Sequence, residues 1–292
     1  MRVFVTGATG FIGSRVVKEL LDAGHQVLGL ARSEAGVQAL LDVGAQAQRG
    51  DLDDLESLRS GAAQADGVIH TAFRHDWSDF GVSCAMDKRA IEAIGAVLQG
   101  SERPFIVSSG VGVAEGRAAT EEDPPLAATP ALPRVSEVTA IALAGQGVHA
   151  SVMRLPQVHD TVKQGLVTYL VAVAREKGVS AYIGDGQNRW PAAHVLDTAR
   201  LYRLALEKGR AGARYHAIAE EGVALKDIAT AIGRGLNLPV ISIEREQAQA
   251  HFGFLGFFAG RDALTSSERT RRELGWNPTG PDMLSDLGNM RY

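Results

Sequence analysis

The sequence predicts an α/β fold, a doubly wound parallel sheet followed by a smaller C-terminal region. Three observations predict it. Through the first half, short apolar runs alternate with helically spaced segments, as a parallel sheet covered on both faces requires. A glycine-rich turn, Thr6-Gly7-Ala8-Thr9-Gly10-Phe11-Ile12-Gly13, joins the apolar run Val3-Phe4-Val5 to a stretch with Val16, Val17, Leu20 and Leu21 on one side. With 292 residues, 45% hydrophobic and 22% charged, the chain is long enough to bury a large core.

Strands are expected at 2–6, 26–31, 45–49, 67–71, 105–108 and 148–155, with helices at 12–22, 35–42, 55–61, 84–98 and 134–146 between them. Asp51 and Asp53 stand where a cap for the third helix would be useful. The segment 116–133 holds four prolines, Pro124, Pro125, Pro130 and Pro133, and is expected to be a loop. Beyond residue 155 the alternation weakens: helices are expected at 166–177 and 195–207, a turn at 184–188 and a strand at 240–243. The division expected is a dinucleotide-binding domain over 1–160 and a substrate-binding region over 161–292, with 194–220 packing back on the first.

The strand, glycine turn and helix form a phosphate cradle. Glycines let the backbone approach a pyrophosphate, and the helix N-terminus offers unpaired N–H groups and a positive dipole end. A Rossmann domain is therefore expected, with Thr6, Gly7, Thr9, Gly10, Phe11, Ile12 and Gly13 around the cofactor. NAD-binding units usually carry an acid at the end of the second strand. Here Arg32 and Ser33 follow Ala31. A guanidinium suits a 2′-phosphate that a carboxylate would repel, so NADP is expected, ahead of NAD.

The net charge of −4 provides no basic footprint for nucleic acid. The single cysteine, Cys84, excludes an intrachain disulfide and is expected in the core. None of the eight histidines forms a close pair of metal-ligand spacing, so no metal is expected. A first strand at residue 2 leaves no room for a cleaved leader, and no apolar run approaches the roughly 18 residues of a membrane span; a cytoplasmic protein is expected.

These residues resemble the extended short-chain dehydrogenase/reductase family, also called the NAD-dependent epimerase/dehydratase family. The resemblance rests on Thr6–Gly13, Asp51-Leu52, Val68-Ile69-His70-Thr71-Ala72, Val107-Ser108-Ser109, Arg154-Leu155-Pro156-Gln157-Val158-His159, His194-Val195-Leu196-Asp197 and Glu273-Leu274-Gly275-Trp276-Asn277-Pro278. It implies that Asp51 and Leu52 flank the adenine and that Thr71 and Ala72 line the cofactor. It also implies that Ser108 and Ser109 lie beside the nicotinamide, with Leu155, Pro156 and Val158 under its ring. A homodimer formed through the helices at 84–98 and 134–146 is implied as well.

The family's chemistry uses a Tyr and a Lys four residues later. Aligned on Ser136, those positions hold Pro133 and Glu137. The resemblance is therefore to atypical members that keep the cofactor site and lose the standard proton donor. Ser109, Arg134 and His159 are the catalytic candidates: a substrate-facing hydroxyl, a fixed cation for a carbonyl and an imidazole acid. Arg134 has a plainer alternative, pairing with Glu137. His75, Asp76 and Tyr169 are within the same expected pocket, and Phe252 to Phe258 line or cap it or belong to the core. Asp197 is expected to cap the following helix. The function expected is NADP(H)-dependent reduction of a small carbonyl compound at a non-standard site. An NADP(H)-binding sensor without turnover, and an epimerase or dehydratase using bound cofactor, remain as alternatives.

Overall fold

A computed structural model describes residues 1–129 and 132–292. Pro130 and Ala131, in the expected 116–133 loop, lie outside the described residues. The first half alternates strictly: β1 (Arg2–Thr6), α1 (Phe11–Asp22), β2 (Gln26–Ala31), α2 (Glu34–Asp42), β3 (Gln46–Arg49), α3 (Leu55–Ala63), β4 (Gly67–His70), α4 (Phe80–Leu98), β5 (Phe105–Gly110), α5 (Ser136–Gly145) and β6 (Ala150–Leu155). The second half runs β7 (Gln157–His159), α6 (Val167–Lys177), β8 (Ser180–Ile183), β9 (Arg189–His194), α7 (Val195–Lys208), β10 (Arg214–His216), β11 (Glu220–Ala224) and α8 (Leu225–Leu236). It ends with β12 (Val240–Ile243), α9 (Ala248–Phe252), α10 (Gly256–Ala259), α11 (Glu268–Leu274) and α12 (Met283–Asn289).

Seven strands, in the order β10-β6-β5-β4-β1-β2-β3, form one all-parallel sheet. Strand alternation sends Val3, Val5, Ile69, Ile106 and Met153 to the face covered by α1 and α7. Phe4, Val68, Phe105, Val107 and Val152 go to the face covered by α3, α4 and α5. The direction of strand addition reverses at β1, with β2 on one side and β4 on the other, which opens the crevice where doubly wound sheets bind ligands. α7 and β10 extend this sheet from late in the chain. A three-stranded sheet, β11-β9-β7, and a two-stranded one, β12-β8, form the rest with their own apolar core.

The expected elements of the first half recur within a few residues of their bounds. Strands β7 to β11 were not expected. Each is three to six residues long and owes its state to pairing rather than to local pattern. Asp197 does not cap α7: His194 Nδ1 accepts the cap bond from Leu196 N–H, while Asp197 accepts from Thr279 and Gly280 N–H and from Arg200. Among the described residues no helix is long and apolar enough to cross a membrane.

Candidate active site and cofactor cradle

The turn after β1 is built for close approach. Gly7 has φ +69°, and a Cβ there would sit 2.7 Å from Ala72 N; a Cβ on Gly13 would sit 2.0 Å from Gly7 O. Gly10 caps α1 without a side-chain bond, so the first-turn N–H groups, around Phe11, Ile12 and Gly13, are left for an anionic ligand. Thr71 Oγ1 donates to Thr6 O at 2.7 Å and pins the end of β4 against this loop. Such a cradle fits a pyrophosphate.

Arg32 is exposed at the end of β2, and none of the described residues hydrogen-bonds or pairs with it. Ser33 caps α2, its Oγ accepting from Gly36 N–H at 3.1 Å. The cap of α3 is Asp54, which accepts from Ser57 N–H, and neither Asp51 nor Asp53 takes that place. Asp53 instead pairs with Arg89. Asp51 is half-buried beside buried Leu52, one carboxylate oxygen accepting from Asp53 N–H at 3.4 Å.

At the end of β5 the two serines face opposite sides of the sheet. Ser108 Oγ lies 2.6 Å from both His70 O and Tyr202 Oη. Its hydroxyl is turned toward α7 and is fully occupied by these two partners. Burial keeps Tyr202, fully enclosed, well above the usual tyrosine pKa, against the smaller opposing pull of the Ser108 hydrogen bond and the Arg134 charge. Ser109 is 8% exposed and its hydroxyl has no hydrogen bond among the described residues.

Arg134 precedes α5 and reaches β5. Its Nε donates to Ser136 Oγ at 2.9 Å and its Nη2 to Ser108 O at 3.3 Å, while its guanidinium stacks 4.4 Å above the Phe73 ring. Nη1 has no partner among the described residues. Arg134 does not pair with Glu137. That acid is 2% exposed and receives Arg154 through both oxygens, at 2.6 and 2.8 Å, with Arg214 at 2.6 Å.

Behind Arg134 runs a buried chain that the sequence did not reveal. Thr6 Oγ1 meets His70 Nδ1 at 2.8 Å, His70 Nε2 meets Asp87 at 3.1 Å, and Ser136 Oγ donates to Asp87 at 2.5 Å. Burial opposes ionisation of Asp87, yet the hydrogen bonds from His70 and Ser136 and the charge of Arg134 hold its carboxyl below the usual aspartate value. The available signal was an acid on the apolar face of α4, near Cys84, Ala90 and Ile91. Cys84 is a core residue, and burial pushes its thiol up to about 11.

His159 stands apart from this group. It has no exposed surface; its Nδ1 lies 2.7 Å from Asp286 and Nε2 lacks a hydrogen-bond partner among the described residues. A side chain held between β7 and α12 has no free face for a substrate, so the catalytic expectation for His159 is withdrawn. His75 is exposed in the cleft, where crowding, with Arg134 and Lys163 as positive neighbours, holds its imidazole below the usual histidine value. Leu155 and Pro156 are half-buried at the end of β6, and Val158 is buried.

Comparison with known proteins decides the family. An NAD(P)H-binding family model matches residues 7–128. Uncharacterized proteins of Schizosaccharomyces pombe and Saccharomyces cerevisiae are 50% and 44% identical, with alignments covering 100% and 98% of both chains. A decarboxylating sterol-4-alpha-carboxylate 3-dehydrogenase of Dictyostelium discoideum is 30% identical over 71% of this chain and 68% of its own. The structure of a dTDP-glucose 4,6-dehydratase from Streptomyces venezuelae superposes with a TM-score of 0.77 at 20% identity, covering 100% of this chain and 96% of that one. The chain belongs to the extended short-chain dehydrogenase/reductase family.

As a member of the extended short-chain dehydrogenase/reductase family it has an NAD(P)-binding domain on a seven-stranded Rossmann sheet. Pro133 and Glu137, expected at the positions of the family's Tyr and Lys, do not share a helix turn. Pro133 precedes α5, which begins at Ser136, and Glu137 faces Arg154 and Arg214.

Proposed function

We propose that the chain is an NADP(H)-dependent oxidoreductase that reduces a small carbonyl compound, with Arg134 as the group that receives the carbonyl oxygen. The observation carrying this is the fixed guanidinium at the end of β5, tied by two hydrogen bonds with Nη1 left over. Bound NADPH supplies the hydride. The glycine loop and the α1 N-terminus hold its pyrophosphate, Arg32 and Ser33 its 2′-phosphate, and Asp51 and Leu52 its adenine. Thr71, Ala72, Leu155, Pro156 and Val158 hold the nicotinamide end.

Arg134 stabilises negative charge as it builds on the substrate oxygen, without reorganising, because its partners already fix it. Ser109 supplies a second contact. Solvent in the open cleft provides the proton. Losing a positioned acid forfeits about 10²–10⁴ in rate, but orientation of the substrate against the cofactor is retained. The 30% identity to a sterol 3-dehydrogenase supports redox chemistry at a hydroxyl or carbonyl carbon.

Replacing Arg32 by Asp tests the cofactor assignment. One or two charge-assisted bonds correspond to about a ten- to hundredfold loss of NADP affinity, with NAD affinity retained; unchanged NADP binding in a titration removes it. Oxidation of NADPH with a panel of aldehydes and ketones tests turnover. A sensor without turnover is the second reading. It draws on Glu137, whose engagement with two arginines leaves no proton-transfer pair on α5. That reading requires different affinities for NADP⁺ and NADPH and no consumption of any carbonyl. We also take the protein to be a homodimer, on the apolar outer faces of α4 and α5.

A further inference from the structure

An aromatic wall closes the end of the cleft next to Arg134. Phe73 and Trp77 come from the β4–α4 connection, Phe80 from the start of α4, Tyr169 from α6, and Phe254 and Phe258 from the segment around α10. Trp77 stacks on Phe80, with centroids 4.9 Å apart at 17°, and on Phe254, 4.4 Å apart at 18°. Tyr169 and Phe258 each meet its ring edge-on at 6.2 Å. Arg134 continues the wall by lying over Phe73, itself 5.8 Å from Phe80.

Two features show that this wall is not merely core. Trp77 Nε1 is buried with no acceptor among the described residues, which leaves a donor that a ligand oxygen would satisfy. Phe254 is 36% exposed, and it sits beside Gly253 at φ +57° and ψ −132°, a conformation that only glycine adopts readily. Leu255, fully buried, anchors the turn on its other side. The ring is thus carried on a short hinge at the cleft surface, whereas Phe80 belongs to a nineteen-residue helix.

We infer that the substrate is a carbonyl compound bearing a flat aromatic ring that takes the place of Phe254 against Trp77. This rests on the reductase reading for its chemistry and on the aromatic wall for the substrate class. In balance, the carbonyl carbon accepts hydride from NADPH, the oxygen takes a proton from solvent, and alcohol and NADP⁺ leave.

The test is calorimetric titration of the NADP⁺-loaded protein, in which no turnover occurs. Acetophenone is compared with cyclohexyl methyl ketone, in which a saturated ring of the same size replaces the flat one. About tenfold tighter binding of the aryl ketone is expected, the upper range for an aromatic pair. Trp77→Leu should erase that preference. Phe254→Leu should leave the aryl ketone bound as well or better, because the competing ring is gone. Equal affinities for the two ketones in the unaltered protein would overturn the inference, as would an unchanged preference in folded Trp77→Leu. If that variant does not fold, the comparison in the unaltered protein decides. A separate NADPH assay isolates the reductase reading. Preferential aryl-ketone binding without oxidation removes that reading and leaves the binding class standing. Oxidation of both ketones with no binding preference does the reverse.

Discussion

Asp87 shows how much one buried carboxylate organises. Every bond around it has a consistent direction: Thr6 O–H to His70 Nδ1, His70 Nε2–H and Ser136 O–H to Asp87, and Arg134 Nε–H to Ser136. The glycine loop and Arg134 are thus the two ends of one satisfied network, and such networks hold a unique geometry. Replacing Asp87 with Asn puts an N–H₂ against a donor and breaks that order. The expected result is about 1–3 kcal/mol less stability and a kcat reduced more than KM, because Arg134 loses its aim rather than its charge. A steady-state comparison checks this, and an unchanged kcat would show that Arg134 is held without the network. None of this was legible in the sequence. His70 lies within a quoted motif, but its meaning depends on Asp87 and Ser136 arriving from two other elements. Gly7 and Gly13 were legible because their demands are local to one turn.

At the scale of the element, α5 has two very different sides. Inward, Glu137 is joined to β6 and β10 through Arg154 and Arg214, and Ser136 is joined to α4 through Asp87. Outward, Val138 is 54% exposed and Ala142 is exposed beside it; on neighbouring α4, Val82 is 48% exposed. Apolar side chains on the outer faces of two adjacent helices suit a self-complementary interface about a two-fold axis. Val138→Glu is therefore expected to convert a dimer to a monomer in sedimentation velocity, with the fold retained by circular dichroism. A native protein that sediments as a monomer would sink the homodimer. The helix itself was legible from its spacing. Its start was not, because Arg134 leaves the helical path to reach β5.

The molecule as a whole carries several histidines that are neutral by construction. His216 has no exposed surface; its Nδ1 lies 2.7 Å from Ser266 O and its Nε2 accepts from Arg154. Burial, against the opposing pull of Glu121, lowers its pKa, and burial lowers that of His194 as well. The unfolded chain therefore binds more protons than the folded one just below the ordinary histidine value of about 6.5. Stability is full above that pH and is lost as pH falls through the lower folded values. Urea midpoints should drop between pH 7.5 and 5.5, and less so in His216→Gln. Equal midpoints would mean that these imidazoles titrate alike in both states.

The fold class was legible in the alternation of the first half. The strands of the second half were not, since Arg214-Tyr215-His216 becomes a strand only by lying alongside β6. That last strand has a kinetic consequence. The sheet is incomplete until residue 216 is available, and α7, Val195–Lys208, must return to cover α1. Such distant pairings put loop-closure entropy ahead of the contacts that reward it. The first 160 residues emerging from a ribosome would present β6 as an open edge, with Glu137 and Arg154 still lacking Arg214. A chain of that length is therefore expected to offer the β6 edge to another chain, and the arrival of β10 is what covers it.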